Sequence, residues 1–235
     1  MRFENIRTLY TEDKEQTRNN REFYIINGFY PTWAEEHRTD ADRGIKEFST
    51  ALRWEQYKNG DITREQAISY AIKRMRTAWK KEYNKGLERI EAVENAEDIK
   101  YISVSVEWYK SRTWGYNPTA EVSTNTGRTY GSASGCGYDK ESASIAQAFN
   151  KNNSILKVIY TMQENAIKNG ISPKDTTCTG FNNRNTIGYG AGYNIAPYFE
   201  GGVGTTCFIS ILEKAGFKYN ANHGKKYDTY NFYIA

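Results

Sequence analysis

Three short stretches hold the side chains of this chain best suited to chemistry. The first is Trp108-Tyr109-Lys110-Ser111-Arg112-Thr113-Trp114-Gly115-Tyr116-Asn117-Pro118, in which rings are interleaved with cations. Such interleaving serves single-stranded nucleic acids as a stacking platform and protein interfaces as hot spots. Lys110, Arg112, Trp114 and Tyr116 are therefore candidate contact residues. The competing reading is a hairpin loop whose tryptophan folds back onto a core, since Trp is highly buried on average. The second stretch, Ser134-Gly135-Cys136-Gly137-Tyr138-Asp139-Lys140, adds Tyr138 and Lys140 to the contact set. Just ahead of a helix, Cys136 would have backbone N–H groups to lower its pKa and hold an oxyanion, with His223 and Asp228 completing a triad. It also reads as a small residue where two glycines make a tight turn. The third stretch, Gly201-Gly202-Val203-Gly204-Thr205-Thr206, offers free N–H groups and two hydroxyls with no acid after Glu200, so Gly204 and Thr205 are candidates for holding an anion. It is the better of the two glycine-rich sites, because Asp139 would itself occupy the other helix N-terminus and repel a phosphate, a repulsion Lys140 offsets in part. Neither is a P-loop or a dinucleotide fingerprint, and close packing of a loop on a sheet is the plainer reading of both.

A structural zinc site takes four N or S ligands; two histidines (His37, His223) and three scattered cysteines (Cys136, Cys178, Cys207) do not supply them. No paired-acid motif for magnesium is present, so neither a metal nor a cofactor is expected. An odd, low cysteine count fits a reducing cytosol. No apolar run approaches the roughly 18 to 20 residues of a membrane span. The N-terminus, MRFENIRTLYTEDKEQ, lacks the apolar region of a signal peptide. A cytoplasmic protein without membrane contact is the expectation. The composition is that of an ordinary globular protein, with 38% hydrophobic and 26% charged residues, which rules out collagen-like and wholly disordered classes. Two features stand out. Tyrosine occurs 19 times in 235 residues, beside 10 Phe and 5 Trp, so much of the apolar content is rings with polar tips that suit binding surfaces. Residues 1–99 carry 18 Lys and Arg against 19 Asp and Glu, whereas residues 100–235 carry 14 against 9. That modest basic excess permits contact with nucleic acid or an acidic protein without demanding it.

The elements that must position these residues follow from periodicity. Residues 1–35 read as irregular and surface-draped, with Asn19-Asn20 and Asn27-Gly28 as breakers. A short helical pair follows over 39–58, capped by Thr39 or Asp40 and stopped at Asn59-Gly60. Thr63 with Gln66 forms a capping box, and Ile68, Ile72, Met75, Trp79, Tyr83, Leu87 and Ile90 recur at helical spacing, so one long amphipathic helix spans Thr63 to Asn95. Its other face mixes cations with Glu65, Glu82, Glu88 and Glu91 and reads as solvated. At Tyr101 the period changes to two: Ile102, Val104, Val106 and Trp108 alternate with Ser103, Ser105, Glu107 and Tyr109, the mark of a strand with one buried face. Strands at Thr119–Thr124 and Arg128–Ser132, joined at Asn125-Thr126-Gly127, complete an antiparallel meander. Two helices follow, one after Asp139 and one from near Ser154 to Gly170. Residues 171–203 show little periodicity, and a loop of that length is usually functional or holds structure that its pattern does not reveal. A last helix over about 205–214 and a hairpin of Phe217–Asn220 with Tyr227–Ile234 close the chain. The fold class is α+β: a helical N-terminal region, 1–99, and an α+β domain, 100–235, with a roughly five-stranded, mainly antiparallel sheet under helices.

The stretches GIKEFSTALRWEQYKNGDITREQA (44–67), VEWYKSRTWGYNPTAEV (106–122), SGCGYDKESASIAQAFN (134–150) and YFEGGVGTTCFISILEKAGF (198–217) resemble a family of uncharacterised proteins encoded by phages, prophages and conjugative elements of gut Firmicutes. The similarity runs over most of the chain, and the YDK-containing loop is its most specific signature. The resemblance implies a genomic setting and no mechanism. Small accessory proteins in that setting are often inhibitors of host defence, such as anti-CRISPR or anti-restriction proteins, or factors that handle the element's DNA. The expected function is therefore a non-enzymatic accessory protein that binds and inhibits a host defence factor, such as a CRISPR nuclease, through Lys110, Arg112, Trp114, Tyr116, Tyr138 and Lys140. The alternative is direct DNA or RNA binding by the same residues and the 201–206 loop. A third reading is an enzyme dependent on Cys136.

Overall fold

A computed structural model of the chain describes residues 3–32, 40–111, 115–132, 140–170, 212–213, 215–223 and 227–234. The elements run α1 (Glu4–Asn27), α2 (Arg43–Phe48), α3 (Ala51–Lys58), α4 (Arg64–Glu94), β1 (Tyr101–Ser111), β2 (Gly115–Thr124), β3 (Gly127–Ser132), α5 (Lys140–Asn150), α6 (Asn153–Lys168), β4 (Phe217–His223) and β5 (Tyr227–Ile234). This is the α+β class expected, with a long N-terminal helix and a five-stranded antiparallel sheet. The chain divides into two units, Leu9–Glu88 and Met1–Thr8 with Arg89–Ala235.

The reading of residues 1–35 as irregular is corrected by α1, a helix of 24 residues. Asn19 and Asn20 read as breakers, yet Asn in a helix interior costs only about 0.6 kcal/mol relative to Ala. Tertiary burial outweighs that: Phe3, Ile6, Tyr10, Tyr24 and Ile25 are all within 2% of full burial. The Asn20 Oδ1 also accepts a bond from Gln16 Nε2 at 2.8 Å. Asn27-Gly28 does end the helix, Gly28 at φ 78° donating its N–H to the Tyr24 carbonyl.

In the unit Leu9–Glu88, α1 and α4 run antiparallel, as their contacts record. Tyr10 donates to the Glu82 carbonyl at 3.2 Å, Trp79 Nε1 to the Lys14 carbonyl at 2.7 Å, and Arg76 clamps Glu22 with bonds of 2.8 and 2.7 Å. Ile25, Ile45, Ala67, Ala71 and Met75 form the core, with Trp54, Ile68, Ile72 and Trp79 packed around it. Gly44 brings α2 onto α1 so closely that a Cβ there would fall 2.1 Å from the Tyr24 carbonyl oxygen. The capping box is present: Gln66 N donates to Thr63 Oγ1 at 3.3 Å and Thr63 N to Gln66 Oε1 at 2.9 Å.

In the other unit the strand order is β3-β2-β1-β5-β4, every neighbouring pair antiparallel. One face is apolar: Ile102, Val104, Val106, Ala120, Val122, Tyr230 and Phe232 pack with Ile145, Ala148 and Phe149 of α5 and Ile155 of α6. Gly131 lets α5 lie directly on β3, a Cβ there meeting the Ser144 carbonyl oxygen at 2.0 Å. The start of α1 joins this unit through the Phe3 ring, 5.8 Å edge-on from Tyr160 of α6, and through Arg7, paired with Glu94 at 2.8 Å. Glu164 of α6 is buried at 1% exposure, and among the described residues neither carboxylate oxygen has a hydrogen-bond partner.

The connection expected between the first two strands is itself strand. Residues 102–111 pair with 115–124 in continuous register, so that Lys110 stands opposite Tyr116 and Ser111 opposite Gly115. The second strand starts at Gly115, ahead of the Thr119 expected, and takes in Pro118. Pro118 is tolerated there because β3 pairs only as far as Thr119, opposite Ser132, so that among the described residues no strand pairs with β2 on that side beyond this point. Of the expected 205–214 helix only Leu212 and Glu213 are described, both helical. The stretch 171–203 lies outside the described residues.

Candidate binding surface

The residues singled out from sequence fall at the margins of what is described. Arg112, Trp114, Tyr138, Gly204 and Thr205 lie outside the described residues, as do Cys136, Cys178, Cys207 and His37. Lys110, Tyr116 and Lys140 are described by backbone only, the first two as register partners near the end of the β1–β2 ribbon and the third as the first residue of α5. His223 and Asp228 are likewise register partners across β4 and β5, which sets these two would-be triad members opposite one another. Among the described residues no group of three or more His, Cys, Asp or Glu is placed to hold a metal ion. None of the described helices is long and apolar enough to cross a membrane.

What the strand order does assemble is the sheet face opposite the α5 and α6 core. Side chains alternate along each strand, so the residues between the buried ones share this second face. Four rows cross it. Tyr101, Tyr233 and Lys218 form the first, and Arg128, Ser123, Ser103, Asn231 and Asn220 the second. Tyr130, Glu121, Ser105, Thr229 and Asn222 make the third; Ser132, Thr119 and Glu107 begin the fourth. None of these residues is buried, and the three tyrosines are 46% (Tyr101), 49% (Tyr130) and 42% (Tyr233) exposed, so each ring keeps about half its surface for a partner.

The face is internally ordered and electrically balanced. Ser103 Oγ donates to Asn231 Oδ1 at 2.8 Å across β1 and β5, and Ser123 Oγ to Glu121 Oε1 at 2.7 Å. Arg128 Nε lies 3.5 Å from the same Glu121 oxygen, an exposed pair that orients the guanidinium more than it stabilises the fold. Among the described side chains of the face, two cations (Arg128, Lys218) offset two anions (Glu107, Glu121). With strands about 4.8 Å apart and residues about 3.3 Å apart, the face measures roughly 20 Å by 20 Å, on the order of 400 Å².

The arginines of α4, whose mixed-charge face reads from sequence as solvated, are engaged. Arg64 bonds Asp42 at 3.1 Å and the Ile26 carbonyl at 2.8 Å. Arg74 bonds the carbonyls of Phe48 and Ser49, both at 3.1 Å, while Arg76 holds Glu22 and Arg89 the Asn150 carbonyl. These guanidiniums tie helices together. The hydrogen bond to Glu22 lowers that carboxyl below its usual range and raises Arg76.

Tyr101, Tyr130 and Tyr233 were not among the residues picked from sequence. Their only signal was the polar half of each alternating strand, which any half-buried sheet displays. Comparison of the chain with protein-family models, with curated proteins and with solved structures finds no match in any of the three.

Proposed function

We propose that this is a binding protein that acts by covering a surface of a protein partner, with the open sheet face as its principal contact. The observation that carries the reading is the make-up of that face: exposed tyrosines among Ser, Thr and Asn, with no net charge among its described side chains. Tyr supplies rigid, amphipathic contact area at low entropic cost, and short hydroxyl and amide side chains adapt their hydrogen bonds to it; antibody paratopes use the same mixture. The ribbon end with Lys110, Arg112, Trp114 and Tyr116 extends the face, and Tyr138, Lys140, Gly204 and Thr205 stay in the contact set as the basic and anion-holding part of the proposal. The resemblance to mobile-element proteins makes the partner a host defence factor, a CRISPR nuclease being the leading case.

Direct nucleic-acid binding is the weaker reading, because Glu107 and Glu121 would face the phosphates and the arginines of α4 are held by carboxylates and carbonyls. The test is a plasmid-interference assay in a host cell carrying the defence system. Wild-type chain should relieve interference, and Tyr101→Ala with Tyr233→Ala should lose that relief while melting at the same temperature. Relief undiminished by the double variant would remove the open face from the reading. Binding to the captured partner should change little with salt. A steep log–log loss of affinity with ionic strength would instead mark phosphate contacts.

A further inference from the structure

The two edges of the sheet are treated differently. On β3, Lys151 Nζ donates to the Tyr130 carbonyl at 2.6 Å, Ser132 N donates to Gln147 Oε1 at 3.3 Å, and α5 sits against Gly131. Those contacts occupy two of the backbone groups an incoming strand would need and crowd the strand between them. At the opposite edge, Lys218, Tyr219, Asn220, Ala221 and Asn222 are five consecutive exposed residues of β4. Both faces of the strand are open there, including Tyr219 at 37% exposure on the side where the helices cover the rest of the sheet. Among the described residues nothing hydrogen-bonds the outer side of these five. An exposed edge of this length is a template for another strand.

We infer that a second copy of this chain occupies the β4 edge, antiparallel about a two-fold axis through Asn220, joining two five-stranded sheets into one of ten. Three observations single out a second copy. The sequence Phe217-Lys218-Tyr219-Asn220-Ala221-Asn222-His223 is complementary to itself in that register. It sets the bulky Tyr219 against the methyl group of Ala221, Asn220 against Asn220, and Lys218 against Asn222, so that its one lysine never meets its own copy. The symmetry keeps both open faces on the same side, because opposed residues in an antiparallel pair share a face. Continuity with the proposed contact surface is the third. One copy offers on the order of 400 Å², about half of what a standard interface takes from each partner, whereas ten strands offer roughly 43 Å by 20 Å, on the order of 850 Å². The inference thus deepens the functional reading: the surface presented to the partner is the doubled face, and the partner meets two copies at once.

The experiment is sedimentation of the full chain over a wide concentration range. The expected result is a reversible passage from one chain mass to two. Asn222→Lys places an ammonium against Lys218 of the second copy at both ends of the pairing, and dimerisation should weaken roughly fivefold with an unchanged melting temperature. Adding Lys218→Glu to that variant sets opposite charges there, and dimerisation should return at least to the wild-type level. A chain that stays monomeric throughout overturns the inference, as does a dimer indifferent to Asn222→Lys or one the second substitution fails to restore. The interference assay separates the two claims: a dimer that relieves nothing leaves the pairing intact and sinks the function, and a monomer that still relieves interference does the reverse.

Discussion

Replacing Glu164 by Gln should stabilise the protein at neutral pH and leave it nearly unchanged in acid. Glu164 is 1% exposed and, among the described residues, neither of its carboxylate oxygens finds a hydrogen-bond donor. Burial is the main cause that holds its carboxyl above the usual range. Glu94 and Glu4 push in the same direction, against Lys168 on its own helix and the chain's amino terminus. A carboxyl raised in the folded state contributes its full stability below the unfolded pKa, about 4.3 for Glu, and loses it as pH rises through the folded value. At neutral pH the wild type therefore pays to bury an unpartnered acid that the unfolded chain ionises freely in water.

An unsatisfied buried polar group costs about 1 to 3 kcal/mol. Gln keeps an amide to desolvate, so the gain belongs at the lower end, about 1 kcal/mol, or roughly 2 to 4 °C in melting temperature for a chain of this size. Melting wild type and variant by circular dichroism from about pH 3 to about pH 8 spans the ordinary carboxylate range. The difference should open from near zero in acid and level off once pH exceeds the folded value. The nearby Arg7–Glu94 pair, at 2.8 Å, is present in both proteins and cancels in the comparison. A variant that melts lower at neutral pH, or higher by the same amount at every pH, would refute the assignment of an unpaired acid at this site.

Two glycines make sharper structural predictions. Gly131→Ala puts a Cβ 2.0 Å from the Ser144 carbonyl oxygen, where ordinary contact begins near 3.4 Å, so α5 must retreat from β3 by more than 1 Å. Overpacking of that kind costs about 1 to 3 kcal/mol, read as a lowered denaturant midpoint, and an unchanged midpoint would mean the helix does not lie where described. Gly44→Ala meets the Tyr24 carbonyl oxygen at 2.1 Å and should loosen α2 from α1 at a similar cost. Limited proteolysis should then cut first between residues 29 and 50, and a cleavage pattern identical to wild type would count against the close approach.

The elements that came straight from the sequence are those whose burial repeats at the helical or strand period. The long helix reads from sequence as Thr63 to Asn95 and is Arg64–Glu94, because the stripe of Ile68, Ile72, Met75, Trp79 and Ile90 lies on or beside the buried face that Ala67 and Ala71 complete, and a capping box marks its start. The final hairpin was legible for the same reason. It failed where a local signal was set against a tertiary gain. Asn19-Asn20 reads as a break only when the packing of Phe3, Tyr10 and Tyr24 is left out, and the second strand reads as starting at Thr119 only when its register with β1 back to Gly115 is left out.

The open face was illegible for a different reason, one that no closer reading of a single segment would have removed. Ser103 and Asn231 share a hydrogen bond across 128 residues of chain, and Tyr101 meets Tyr233 only because β5, made last, inserts beside β1. Each strand taken alone shows an ordinary solvated half, whereas the stretch with Lys110, Arg112, Trp114 and Tyr116 stands out in the sequence because its rings and cations are contiguous. A surface spread across five strands carries its signal in strand order and register, which local propensity does not encode. The same dependence makes the proposal easy to break. A one-residue slip of β5 against β1 would turn Tyr233 and Asn231 toward the helices and bring Phe232 to the surface, so the face exists only while the buried Ile102–Phe232 and Val104–Tyr230 pairs hold the register.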